Sequence, residues 1–107
     1  MWWKKAGGSK IYDSSEEIPA PDVDRSLRLF MFEACHYCKR VFSALEKLQM
    51  SVEMADVRKD TAVRQELYSL TGRTQVPCLI IDDVPLFESE DICAWLEAYA
   101  ARGTQTS

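Results

Sequence analysis

The sequence holds one histidine, His36, only four glycines and four prolines, and no apolar run long enough to span a bilayer. Each shortage excludes something. With so little glycine and proline, a collagen-like or low-complexity chain is ruled out. One histidine leaves little with which to complete a zinc centre: Cys35-His36-Tyr37-Cys38 has the spacing of half a zinc motif, but Cys78 and Cys93 do not supply the other half at short spacing. No metal site is therefore expected. Basic residues are also in deficit, 13 Lys and Arg against 17 Asp and Glu for a net charge of −4, so the basic stripe of a nucleic-acid binder is lacking. No internal repeat is visible. Met1-Trp2-Trp3-Lys4-Lys5 runs into Ala6-Gly7-Gly8-Ser9 rather than a continuous apolar stretch, so no secretory signal is expected and a cytoplasmic location is.

What is there reads as one soluble domain of 107 residues, with 47% hydrophobic and 28% charged residues. Residues 1–25 lack a sustained hydrophobic period and carry Gly7-Gly8, Ser14-Ser15, Pro19 and Pro21, the composition of a flexible extension. Trp2 and Trp3 beside Lys4 and Lys5 are residue types that settle at a membrane surface; the plainer reading is a loose N-terminus or one packed on the domain. Residues 26–107 form the domain. Leu27-Arg28-Leu29-Phe30-Met31-Phe32 reads as a strand, and Val41, Ala44, Leu45 and Leu48 place a helix at 37–49. A second strand is expected at 51–56. Asp60 then caps a helix with Val63, Leu67 and Leu70 on one face, closed by Gly72. A strand at 76–81 follows, then a turn at Asp82-Asp83 and a short edge strand at 84–87 that tolerates Pro85. Ser89 caps a last helix with Ile92, Trp95, Leu96 and Tyr99 buried. The order β-α-β-α-β-β-α predicts an α/β fold, a mixed four-stranded sheet flanked by helices.

Cys35 and Cys38 fall where the first strand meets the first helix. A thiol there faces unpaired N–H groups and the positive end of the helix dipole, which favour the thiolate. Only the thiolate attacks a disulfide sulfur. The three-residue step brings Cys38 to nearly the same face one turn on. Cys35 is thus the expected nucleophile and Cys38 the resolving thiol.

Around these residues the chain resembles the glutaredoxins of the thioredoxin superfamily. The likeness spans about residues 26–101 and rests on Cys35-His36-Tyr37-Cys38, Thr74-Gln75-Val76-Pro77 and Glu88-Ser89-Glu90-Asp91. The last two blocks are also similar to the N-terminal domain of glutathione transferases, so the type of glutaredoxin bordering on transferases is closest; the all-helical second domain of that type is not expected here. The resemblance implies a thioredoxin-like fold and glutathione as co-substrate. It implies that Pro77 is a cis-proline facing the cysteines, and that Val76 pairs by its backbone with the cysteine of glutathione. It further implies that Ser89 and Asp91 hold the γ-glutamyl end, in the transferase version with Glu88, and that Tyr37 is the aromatic beside the thiols. Plainer roles stand beside these: Ser89 as a helix cap, Asp91 as a dipole partner, Tyr37 as core packing.

Two positions depart from the family pattern. His36 stands where most glutaredoxins have proline; a protonated ring there would favour the Cys35 thiolate, while the plain alternative is an exposed loop histidine. Glu33 lies where many carry a basic residue for the glycyl carboxylate of glutathione, and it would repel both that carboxylate and the thiolate if it points at the site. Arg73 and Gln75 are candidates for the missing contact, with Lys39 and Arg40 as possible helpers. Cys93 is read as core packing, and Cys78 as core or as the partner of an off-path disulfide. The expected function is glutathione-dependent reduction of protein disulfides or glutathione mixed disulfides, by a monomer. The alternative is a [2Fe–2S] carrier or sensor, with the cluster shared between two copies.

Overall fold

A computed structural model describes residues 18–105 of the chain. The elements run β1 (Leu27–Met31), α1 (His36–Leu48), β2 (Glu53–Asp56), α2 (Thr61–Thr71), β3 (Cys78–Ile81), β4 (Val84–Leu86) and α3 (Ser89–Gln105). The sheet order is β2-β1-β3-β4, with β1 and β2 parallel and the other neighbours antiparallel. The parallel pair needs a long crossover, and α1 supplies it. This is the mixed sheet with helices on both faces that the element order predicted.

Alternation along the central strands divides the core in two. Leu29, Met31, Leu79 and Ile81 point to one face, where Val41 and Leu45 of α1 and Ile92, Trp95 and Leu96 of α3 cover them. Phe30, Cys78 and Ile80 point to the other, where Leu67 of α2 covers them. The turn between β3 and β4 has Asp82 at φ 47° and Asp83 at φ 72°. Two successive left-handed residues are what a two-residue hairpin joining right-twisted strands requires, and aspartate tolerates that region better than most. Asp60 caps α2 through its side chain and Gly72 ends it at φ 81°, both as the sequence indicated.

The boundary expected at residue 25 needs correction. Ile18 is buried, 2% exposed, in the core between the sheet and α3. The indole N–H of Trp95 donates to the carbonyl of Pro19 at 2.8 Å. The Arg25 N–H donates to the Tyr99 hydroxyl at 2.9 Å, and Arg102 pairs with Asp24. Residues 18–25 have no helical or strand period because they pack as an irregular strap, whose anchors are single residues. The remainder of the expected extension, with Trp2 and Trp3, lies outside the described residues. No helix among the described residues is long and apolar enough to cross a membrane.

Candidate active site

Cys35 stands at the N-cap of α1, with φ −69° and ψ 123°. The backbone N–H of Cys38 donates to Cys35 Sγ at 3.3 Å, so a helix-end donor that would otherwise lack a partner points at the sulfur. Cys35 is 8% exposed and Cys38 fully buried. Burial first, and then the hydrogen bond with Cys35, push the Cys38 thiol up to about 12. The two cysteines therefore differ: Cys35 keeps a small exposure at the helix end with an N–H on its sulfur, and Cys38 is fully buried and held protonated. All four cysteines are free thiols.

Beside this helix start lies a cavity of about 680 Å³. Tyr37 forms part of its wall and is 58% exposed, so it is not core packing. Gln75, Val76 and Pro77 form a second wall, and the Val76–Pro77 peptide is cis. The third wall is the start of α3, with Ser89 and Asp91. Three segments far apart in sequence thus meet because β1, β3 and the end of β4 present neighbouring ends of the sheet. Six of the expected binding residues, Tyr37, Gln75, Val76, Pro77, Ser89 and Asp91, are brought together there.

The entry to α3 differs from the expected capping. Ser89 is the first helical residue, and Glu88 precedes it at φ 75° with its carbonyl accepting from the Ile92 N–H at 2.9 Å. A glutamate in the left-handed region costs about 1 kcal/mol or more. Ser89 is buried, 6% exposed, and lines the cavity. The Asp91 carboxyl is held above the usual carboxylate range, by burial first and then by Glu88 and Glu90.

Arg73 does not line this cavity. Its guanidinium lies over the Phe87 ring, 4.6 Å from the centroid, and faces a neighbouring groove on α2. The available cation is Arg40, which lines the cavity and pairs with Glu90 at 3.5 Å. Its i+3 spacing from Tyr37 on α1 was the signal for that position; Glu90 carried no such signal. Lys39 is exposed, and His36 is an exposed first residue of α1 whose ring sits edge-on to Tyr37, 5.5 Å between centroids. Glu33 does not stand alone: Lys59, from the loop between β2 and α2, pairs with it at 3.2 Å. Arg58 from the same loop covers Phe32, 4.4 Å from the ring centroid.

Cys78 is fully buried on the α2 side of the sheet, whereas Cys35 and Cys38 belong to the core on the α1 and α3 side. The sheet separates them. Burial holds the Cys78 thiol far above the ordinary thiol range. Cys93 is half-buried, with its sulfur 3.6 Å from the Arg40 carbonyl oxygen, and burial raises its thiol as well.

Solved structures similar to this chain include a glutaredoxin from Archaeoglobus fulgidus, with 18% identity and a TM-score of 0.55, covering 67% of this chain and 86% of that one. A buckwheat glutaredoxin–glutathione complex has 19% identity and a TM-score of 0.58, covering 76% and 78%. A trimeric glutathione transferase of Leishmania has 27% identity and a TM-score of 0.58, covering 69% of this chain but 17% of that one. No curated protein matches the chain. The glutaredoxin family model matches residues 27–86, from β1 to β4, taking in the dithiol and the Gln75–Pro77 wall and ending before the start of α3. With the fold, the dithiol at the helix start and that match in agreement, this chain belongs to the glutaredoxin family and is a thiol–disulfide oxidoreductase.

Proposed function

We propose that the protein uses glutathione to reduce protein disulfides and glutathione mixed disulfides through Cys35 and Cys38. The observation that carries this reading is the cavity beside the helix start of Cys35, where Tyr37, the cis Val76–Pro77 segment and the start of α3 with Ser89 and Asp91 come together. A helix start with free N–H groups and a serine hydroxyl suits a carboxylate, here that of the γ-glutamyl end, and Asp91 suits its ammonium group. The backbone of Val76 then pairs with the cysteinyl unit, and Gln75 and Arg40 lie within the same cavity for the glycyl end. The buckwheat protein's complex with glutathione is consistent with such a site.

The steps follow from the two thiols. The Cys35 thiolate attacks the glutathione sulfur of a mixed disulfide; the Cys35–S–S–glutathione bond forms and the substrate leaves as a thiolate. A second glutathione thiolate attacks the glutathione sulfur of that adduct, giving glutathione disulfide and returning Cys35. With a protein disulfide, Cys35 forms the mixed disulfide with one substrate sulfur. Cys38 then attacks Cys35 Sγ, its proton passing to the departing substrate thiolate, and the Cys35–Cys38 disulfide forms. Two glutathiones reduce it again. A thiol held as high as Cys38 is a poor first attacker, which fits its resolving role.

A [2Fe–2S] cluster takes four thiolate ligands. One copy offers Cys35, 8% exposed, as the less buried of its two thiols at this place, with Cys38 fully buried, and no observation favours the cluster over dithiol exchange. The test is glutathione-coupled reduction of a mixed disulfide by wild type, Cys35→Ser and Cys38→Ser. Cys35→Ser is expected to be inactive. Cys38→Ser keeps activity on glutathione mixed disulfides and loses dithiol reduction. Activity surviving Cys35→Ser overturns the assignment.

A further inference from the structure

Two walls of the cavity begin in irregular stretches of chain. Residues 72–77 link α2 to β3, and Phe87 and Glu88 link β4 to α3. Neither stretch lies in a helix or a strand, so side chains must help to hold it. Thr71, the last residue of α2, is buried, 2% exposed. Its hydroxyl oxygen lies 2.9 Å from the Leu67 carbonyl and 2.9 Å from the Arg73 carbonyl, and it accepts from the Arg73 N–H at 3.1 Å. A hydroxyl has one proton, so it donates to one of these carbonyls at a time. The N–H it accepts from lies beyond the helix end, past Gly72 at φ 81°. The hydroxyl thus ties the start of the loop back to α2. Arg73 carries the tie onward. Its guanidinium covers the Phe87 ring, 4.6 Å from the centroid, and Phe87, 3% exposed, belongs to the same core cluster as Leu67. Phe87 directly precedes Glu88 and Ser89. Contacts therefore run from Thr71 through Arg73 to Phe87, joining the stretch before Gln75 to the stretch before Ser89. Neither Thr71 nor Arg73 lines the cavity.

We infer that Thr71 and Arg73 are positioning residues that hold these two walls at the spacing glutathione needs. Thr71 acts through the loop that carries Val76, and Arg73 through Phe87 and the start of α3. The inference rests on the reading of this cavity as the glutathione site, and it adds two residues from outside the lining. The thiols stand at the start of α1, beside the third wall. The brace therefore governs binding of the glutathionyl group and leaves the thiol exchange itself unchanged.

The test is a single turnover of the prereduced full chain without added glutathione, followed over a range of substrate concentrations. The substrates are a glutathione mixed disulfide, the matching cysteinylglycine mixed disulfide, which lacks the γ-glutamyl unit, and a small neutral disulfide. Wild type is expected to prefer the glutathione substrate. Thr71→Val keeps the side-chain shape and removes the hydroxyl. Its half-saturating concentration of the glutathione substrate rises about three- to tenfold, the range that one lost hydrogen bond spans, with the limiting rate unchanged. Thr71→Ser restores wild-type binding. Arg73→Ala, at a half-buried position, raises the same value about two- to fivefold. It also narrows the preference over the cysteinylglycine substrate, which reads the wall at α3, and Arg73→Lys keeps most of that preference. The two residues act in series, so the double variant loses less than the product of the single effects. All variants react with the small disulfide at the wild-type rate. Thermal midpoints establish which variants are folded, and Arg73→Ala carries the test where Thr71→Val is not. Unchanged glutathione-substrate binding in Arg73→Ala, or an equal loss on all three substrates, would overturn the inference and leave the glutathione site standing. A wild type that does not distinguish the glutathione from the cysteinylglycine substrate overturns both.

Discussion

Ile18→Ala tests whether residues 18–25 are a structural part of the domain. Ile18 is 2% exposed and packs in the same core as Trp95, itself fully buried. Replacing a buried isoleucine by alanine costs about 2–4 kcal/mol, from lost burial and the cavity left behind. That is a large share of the roughly 5–15 kcal/mol that holds a domain of this size together. At about 4–8 °C per kcal/mol, the midpoint falls by roughly 10–25 °C. The assay is thermal and urea unfolding of the full chain followed by far-UV circular dichroism. Trp95→Phe, which removes the donor to the Pro19 carbonyl, is expected to cost about 1 kcal/mol by that bond alone. The two changes fall in one cluster, so the double variant departs from additivity. A midpoint for Ile18→Ala within about 3 °C of wild type, less than 1 kcal/mol, would refute the reasoning and return the strap to a loose extension.

Three further outcomes follow from the site. Glu33→Gln removes the exposed pair with Lys59; stability changes by less than about 1 kcal/mol, and the glutathione KM is expected to fall a few-fold, as the family's basic residue at this place implies. An unchanged KM would place Glu33 outside the binding field. Asp91→Asn separates binding from stability. Burial and its acidic neighbours raise the Asp91 carboxyl in the folded chain, so its stabilising contribution is complete in acid and is lost as pH rises through the carboxylate range. At neutral pH the asparagine variant is therefore as stable as wild type or slightly more so, while its glutathione KM rises about tenfold; urea midpoints and coupled kinetics check both halves. In the reduced protein, iodoacetamide at mildly alkaline pH is expected to modify Cys38 and Cys78 last, since burial keeps both protonated; early labelling of Cys78 by peptide mapping would contradict its place behind the sheet.

The order of elements was legible because periodicity changes sharply from strand to helix, and because Asp60 and Gly72 mark the ends of α2 with side chains that have one local purpose. Asp82-Asp83 was legible for the same reason. The ends of other elements were not. Gln49 takes a left-handed cap at φ 56° that glutamine does not advertise. Val76 and Pro77, read as the start of a strand, instead precede β3 at the cis bond. Ser89 looked like a cap because serine before two acidic residues is the usual cap pattern, yet the strained Glu88 takes that place and leaves the serine hydroxyl to the cavity. The strap was hidden because Ile18, Pro19 and Arg25 reach α3 across more than seventy residues of sequence, and no local pattern records so long a contact. Most residues that line the cavity lie in three short blocks that the sequence displays, while Arg73 lies elsewhere, its guanidinium over the Phe87 ring.

The central claim is that Cys35 is the nucleophile and glutathione its partner. The most direct measurement is to react reduced Cys38→Ser with glutathione disulfide at neutral pH and locate the adduct by peptide mass mapping. The account predicts one glutathionyl group per chain, on Cys35, removed by added glutathione. An adduct on Cys78 or Cys93 instead, or none at all, would contradict it.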